Sequence, residues 1–244
     1  MNWQLSWMLR PIGLDRGLAL EPTRLSSVQA DFDLIAEARS ERWNHNNHYH
    51  QFILKHLPAR RGTVLDIGCG TGDLAAILAT LFDSVVAIDF SHGMIQRARE
   101  RLRNTTNVQL VEQDVQTFAF APSSFDMIVS IATFHHLPFR SEVLRLKSAL
   151  ARGGSLVILD LCKPSTLTDF IFAGLAFPAS LLLGAIHNKG NRRSAEEKLA
   201  WKQHGKNDVY APISEIRAIA GELLPGAKVR RLLFWRYCLV WKNE

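Results

Sequence analysis

Three glycines at alternate positions, Gly68, Gly70 and Gly72, separate the apolar run Val64-Leu65-Asp66-Ile67 from a helical pattern. Glycine adopts backbone angles that other residues avoid and lets a ligand come close to the main chain. The helix that follows begins with unsatisfied N–H groups. Three carboxylates narrow the choice of ligand. Asp66, just before the turn, offers an anion to a cationic amino group or an ordered water. Asp89 ends the next apolar run, 23 positions after Asp66, where an acid accepts from both hydroxyls of a ribose. Asp114, within Val111-Glu112-Gln113-Asp114-Val115, is placed to accept from an adenine amino group. Glycine turn and acids together describe a site for a nucleoside.

Two histidine groups are candidates for further chemistry. His135 and His136 follow the run Phe125 to Ser130, at the rim where a reacting group would lie, and either would serve as a base or a substrate anchor. The second group is Asn44-His45-Asn46-Asn47-His48-Tyr49-His50. Here Tyr49 or His48 is expected to close over the site. A metal at His45, His48 and His50 is not expected, because no nearby carboxylate completes a ligand set. Asp126 reads as structural, and Cys69 as a small residue filling the turn.

These residues need a scaffold, and the periodicity supplies one. Apolar strands are predicted over 63–67, 84–89, 108–113, 125–130 and 155–161. Amphipathic helices are predicted over 72–81, 92–102 and 141–150. Such alternation argues for a parallel sheet covered on both faces. A helix over 212–224, the turn Pro225-Gly226, and strands over 228–234 and 237–241 add an antiparallel hairpin at the end. The fold class is therefore α/β, a Rossmann-like doubly wound, mostly parallel seven-stranded sheet with a C-terminal hairpin. Residues 1–27 read as an appendage and 28–244 as one domain, in which 28–57 is an N-terminal capping helix region and 162–208 a helical lid insertion. In the insertion, 170–186 is uncharged and apolar, while 187–208 carries Lys189, Arg192, Arg193, Lys198, Lys202 and Lys206.

On these residues the sequence resembles the class I S-adenosylmethionine-dependent methyltransferases. The resemblance is close over about 48–161 and returns in the hairpin at 210–243. It rests on Val64 to Gly72, Val86-Ala87-Ile88-Asp89-Phe90-Ser91, Gln113-Asp114-Val115 and Phe125 to Ser130. It implies S-adenosyl-L-methionine as cofactor. Gly68, Gly70 and Gly72 would line its methionine part and Asp89 would hold the ribose. Phe90 and Met94 would pack near the adenine, Asp114 and Val115 would read its edge, and Ser130 and Ile131 would border the methionyl group. A nicotinamide-binding Rossmann enzyme is a weaker reading, because its glycines are spaced GxGxxG and this chain has GxGxG followed by Asp73. A catalytically silent, cofactor-binding regulatory protein is the other alternative.

The acceptor is expected to be a small molecule. Ser130-Ile131-Ala132-Thr133-Phe134 stands where nucleobase amino methyltransferases carry an Asn/Asp-Pro-Pro-aromatic motif, and no Pro-Cys nucleophile is present. The net charge of +6 over 244 residues is modest and does not by itself establish a nucleic-acid partner. The apolar stretch 170–186 points to a hydrophobic acceptor and to a lid or core segment, with contact to a membrane surface as the second reading and a membrane span, for which about 17 residues is the lower bound, as the third. Cys69, Cys162 and Cys238 are too far apart and too few for a disulfide framework. A cytoplasmic setting, with membrane association as a variant, is the expectation. The apolar start, Met1 to Leu9, lacks a preceding basic region and does not read as a cleaved signal peptide.

Overall fold

The computed structural model describes residues 22–38, 43–188, 193–205 and 208–244. Most of the appendage and the basic residues Lys189, Arg192 and Lys206 lie outside them. The strands are β1 (Thr63–Ile67), β2 (Ser84–Asp89), β3 (Val108–Glu112), β4 (Phe125–Ile131), β5 (Leu150–Leu161), β6 (Lys228–Leu232) and β7 (Arg236–Lys242). The described helices are α1 (Pro22–Ala38), α2 (His45–His48), α3 (His50–Leu54), α4 (Asp73–Leu78), α5 (His92–Arg101), α6 (Phe139–Ala149), α7 (Leu167–Asn188), α8 (Ala195–His204) and α9 (Ile213–Leu223).

One seven-stranded sheet runs β3-β2-β1-β4-β5-β7-β6. The first five strands are parallel, and β7 pairs antiparallel with both β5 and β6. Every residue of β4 and nearly every residue of β1 is buried, as two-sided burial of a central parallel strand requires. Strand order reverses between β1 and β4, so the loops leaving these neighbours diverge and open a cleft at their carboxyl ends. Ile67 pairs with Ser130 at that end. The glycine turn and the histidine loop thus start side by side.

Asp126 has the structural role expected of it. It is buried on β4, and its Oδ2 accepts from Gly62 N at 2.8 Å and Thr63 N at 3.1 Å, fastening the entry to β1. The closing hairpin departs from the sequence reading. Its first strand stops at Leu232, and Phe234 and Trp235 form the turn, both at φ 59°. Bulky side chains rarely occupy this left-handed region. The strain persists because packing holds both rings, which are almost wholly buried.

The insertion forms α7 and α8. Helix α7 runs 22 residues with Pro178 inside it. It is not a core helix, as one reading of 170–186 had it. Phe170, Ile171, Phe172, Leu175, Leu182 and Ile186 are each about half exposed or more. Helix α8 packs against α1, where Ala200 joins Ile35, Ala36 and Met94 of α5. The N-terminal helix and the insertion therefore close over the sheet together.

Candidate active site

A cavity of about 810 Å³ opens at the switch point between β1 and β4. One end is made by Asp89, Phe90, Met94, Asp114 and Val115. The other is made by the loop after β4, the tip of the hairpin and the insertion. Beside the glycine turn a second hollow of about 60 Å³ is lined by Asp66, Gly68, Asn44, Asn46 and Ile131 among others. Gly68, Asn44, Asn46 and Ile131 line both, so the two are adjacent.

The turn is shaped by its own hydrogen bonds. Gly68, Gly70 and Gly72 all have positive φ (69°, 53° and 77°). The N–H of Gly68 donates to Ile88 O at 2.8 Å, and that of Gly70 to Asp89 Oδ2 at 2.8 Å. Ser91 N donates to the other Asp89 oxygen at 3.0 Å. Burial pushes the Asp89 carboxyl up to about 6 against the pull of these N–H groups. Asp66 is more exposed to electrostatic stress than to solvent. It is buried, its Oδ2 has no hydrogen-bond partner, and burial together with Asp89 pushes it up to about 7. A buried carboxylate oxygen with a free lone pair beside a hollow suits an ammonium group.

The other expected residues divide. Phe90 and Met94 line the cavity with Asp89 and Asp114, and Phe32 of α1 stands edge-on to Phe90 at 6.0 Å. Asp114 lines the cavity and also accepts from Gln116 N at 2.9 Å, so it shapes its own loop. Ile131 borders both hollows. Ser130 is not among the lining residues; its Oγ donates to Ile67 O at 2.9 Å and ties β4 to β1. Tyr49 does not close the site. Its hydroxyl donates to Leu233 O at 2.6 Å, anchoring the hairpin tip, and burial pushes its pKa above the usual range. Of the histidines in that segment, His45 rather than His48 lines the large cavity, beside Asn44 and Asn46. Asn44 and Asn47 form a reciprocal cap at the start of α2, which turns His45 inward. There its ring stacks on Phe234 at 4.4 Å and its Nε2 lies 2.8 Å from Ser180 Oγ of α7. Burial, reinforced by Arg236, lowers its pKa to about 3.

Across the cavity from Asp89, His135 and His136 sit on a short 3₁₀ turn, Phe134–His136. His135 Nδ1 is 2.8 Å from Asp160 Oδ1 at the end of β5, and its backbone N–H donates to Asp160 Oδ2 at 2.6 Å. Burial opposes a charge on this imidazole, but Asp160 outweighs it and the pKa is raised. The sequence reading missed four residues here: Asp160, His204, Asp208 and Arg236. Arg236 is buried, donates from Nη2 to Asn46 Oδ1 at 2.5 Å, and leaves Nε and Nη1 without partners in the cavity wall. Only Asp160 carried a local signal, as an acid inside the apolar run Val157-Ile158-Leu159-Asp160-Leu161.

A nucleoside-binding turn, two strand-end acids and a wide cavity on a seven-stranded sheet with an antiparallel end define a small class of enzymes. The chain belongs to the class I S-adenosylmethionine-dependent methyltransferases. Residues 64–154 match the methyltransferase-domain family. An uncharacterised methyltransferase of Mycobacterium bovis is 30% identical over 210 residues, covering 82% of this chain and 96% of that protein. A ubiquinone/menaquinone biosynthesis C-methyltransferase of Klebsiella pneumoniae is 31% identical over 146 residues, 57% of each chain. Among solved structures, a complex of DhpI with S-adenosylhomocysteine superposes with a TM-score of 0.59 at 20% identity, covering 92% of this chain and 97% of that one. A phosphoethanolamine N-methyltransferase of Haemonchus contortus gives 0.56 at 22% identity, over 86% of this chain and 44% of that one. The residues present fit the cofactor: Asp89 and Asp114 line the large cavity, and the buried Asp66 oxygen without a partner, beside the adjoining hollow, suits its ammonium group.

Proposed function

We propose that this methyltransferase acts on a small, apolar acceptor that reaches it from a lipid surface. The observation that carries this is a single cavity joining the Asp89–Asp114 end to walls of Phe32, Trp43, Leu181, Trp201 and Phe234. S-adenosylmethionine, when bound, supplies an electrophilic methyl on a sulfonium. Asp89 holds the ribose, Asp66 the amino group and Asp114 the adenine edge, which fixes the direction in which the methyl points. The aromatic walls align a flat acceptor and exclude water, and positioning of this kind supplies much of the rate in a displacement. The free Nε and Nη1 of Arg236 select an acceptor with an oxygen at that depth. His135 and His136 orient the accepting atom. The name of the Klebsiella relative accords with an apolar ring acceptor.

Helix α7 supports the lipid surface as the source. Residues Asp169–Asn188 have a mean hydropathy of 1.9, and the outward side chains form an apolar patch that water would penalise. Leu181 belongs both to this patch and to the cavity wall, so the patch leads to the cavity mouth. Arg193, Lys198 and Lys202 stand at the same mouth, where anionic headgroups would meet them. The chain is expected to float with anionic vesicles, and Phe172→Asp with Leu182→Asp to leave it in the soluble fraction. Equal flotation of both proteins overturns the lipid route. For the cofactor, titration calorimetry should show one S-adenosylhomocysteine per chain and no NADH. Asp89→Ala should cost about 1.5–3 kcal/mol of that binding, the worth of hydrogen bonds to a charged group; an unchanged affinity removes Asp89 from the site.

A further inference from the structure

His135 and His136 on the loop after β4, His204 in the last turn of α8, and Asp208 just beyond it converge on the acceptor end of the cavity. Each offers one donor atom, and the four atoms lie within 4.8 Å of one another. Around a tetrahedral ion with bonds of about 2.0–2.1 Å, donors stand about 3.3 Å apart. Small side-chain rotations close that gap. We propose that these four residues bind one divalent transition-metal ion of the zinc or iron(II) kind.

The surroundings are those of a metal centre. A ligand histidine ordinarily presents its other ring nitrogen to a carboxylate, and a ligand carboxylate is itself hydrogen-bonded. Asp160 Oδ1 lies 2.8 Å from His135 Nδ1, which leaves Nε2 for a metal. Asp31 Oδ2 of α1 is the carboxylate nearest His204 Nδ1, at 3.8 Å and without a hydrogen bond between them, and Gln203 Nε2 donates to the other Asp31 oxygen at 2.9 Å. Tyr210 donates its hydroxyl to Asp208 Oδ2 at 2.6 Å. The charges point the same way. Asp31, Asp160 and Asp208 are all buried here, and the buried guanidinium of Arg236 offsets Asp160. Two negative charges are left over if the imidazoles are neutral, and a divalent cation balances them. Three imidazoles with a single carboxylate favour zinc, iron or their neighbours over magnesium or calcium, which take oxygen ligands.

The inference rests on the methyltransferase reading for its role and deepens it. A metal in the cavity wall with four protein ligands and room to expand would take the acceptor's oxygen as a further ligand. That oxygen's proton would pass to water, and the bound oxyanion would receive the methyl. No electron transfer is involved. His135 and His136 are then ligands in place of proton acceptors, and the acceptor is an apolar phenol or enol.

The test uses the untagged full chain, freed of metal with a chelator and titrated with Co²⁺. One equivalent should bind and give the visible absorption of a four- or five-coordinate site, and Zn²⁺ should displace it. His204→Ala and Asp208→Asn should each weaken Co²⁺ by about 100-fold or more, since loss of an outer partner alone costs about 10–100-fold. Both should bind S-adenosylhomocysteine as the parent does, which shows that they are folded. His92→Ala, an exposed histidine, should leave Co²⁺ binding intact. A chain that binds S-adenosylhomocysteine but takes up no Co²⁺, or whose uptake ignores His204 and Asp208, overturns the metal site and leaves the methyltransferase reading in place. Stoichiometric Co²⁺ uptake by the parent, lost in both variants while their thermal unfolding stays cooperative and native-like, supports it even if the parent itself binds no S-adenosylhomocysteine.

Discussion

Asp66→Asn is expected to make the free protein more stable and to weaken its hold on S-adenosylhomocysteine. The native carboxyl is 2% exposed, has one oxygen without a partner and faces Asp89, so its pKa is pushed up from 3.8 to about 7. In the unfolded chain it ionises near the ordinary value. Between these two values the unfolded state binds fewer protons than the folded one, and stability falls as pH rises. A shift of three units corresponds to roughly 4 kcal/mol, complete above pH 7. Asparagine cannot ionise and escapes this loss, although its amide inherits an unpaired position costing about 1–3 kcal/mol. The net gain at pH 8 should be about 1–3 kcal/mol, or roughly 3–10 °C in Tm for a chain of this size. At pH 5 the two proteins should melt closer together. Binding moves the other way: S-adenosylhomocysteine should bind the variant about 10–150-fold more weakly, the worth of about 1.5–3 kcal/mol. For the native chain, affinity should rise with pH through 7 as Asp66 ionises. Thermal melts from pH 5 to 8.5, with and without S-adenosylhomocysteine, read both effects. A variant that binds normally and melts as the parent does at pH 8 would make Asp66 an ordinary strand-end acid.

The sheet was legible because burial on two faces leaves a direct mark. Val64-Leu65-Asp66-Ile67 and Ile128-Val129-Ser130-Ile131 are apolar nearly throughout, and only a central parallel strand calls for that. The meeting of Asp89 and Asp114 in one cavity was legible because both sit at strand ends, where position in the chain fixes position in space. The cluster around His135 was not. Asp208 falls in a polar stretch that reads as a solvated face, and Asp31 is one acid among several on an amphipathic helix. Asp208 comes to face His135, and Asp31 to face His204, only when α1 and α8 close over the sheet, which no local pattern announces. The hairpin tip failed for a different reason. Phe234 and Trp235 have strand-like side chains, and local preference gives no sign that tertiary packing holds them at positive φ. Tyr49 failed likewise. Its chemistry invited a place in the site, but the hydroxyl serves Leu233, and the cap formed by Asn44 and Asn47 sends His45 to the cavity instead.

The glycine turn holds the second large effect, because two of its glycines are required for different reasons. A Cβ on Gly68 would lie 1.9 Å from Thr133 Oγ1 and 2.9 Å from Thr133 Cβ, at a φ of +69°. Gly68→Ala must therefore push away the loop that carries His135 and His136. Overpacking of this kind costs about 1–3 kcal/mol and the left-handed backbone about 1–2 kcal/mol more. A fall in Tm of roughly 5–15 °C is expected. Adding Thr133→Gly removes the obstructing side chain but not the backbone strain, so the pair should recover part of the loss and depart from additivity, as residues in contact do. At Gly70 a Cβ would meet nothing within 4 Å. Gly70→Ala should cost the fold only its backbone strain at φ +53°, yet its methyl would stand beside the N–H that donates to Asp89. Its main effect should fall on S-adenosylhomocysteine affinity. Melting curves and calorimetry on the three variants separate the roles, since Gly68 couples the turn to the loop after β4 and Gly70 keeps space clear for the cofactor. If Gly70→Ala bound S-adenosylhomocysteine as the native chain does, the open side of the turn would not be where the cofactor lies, and the emptiness beside Gly70 would need another cause.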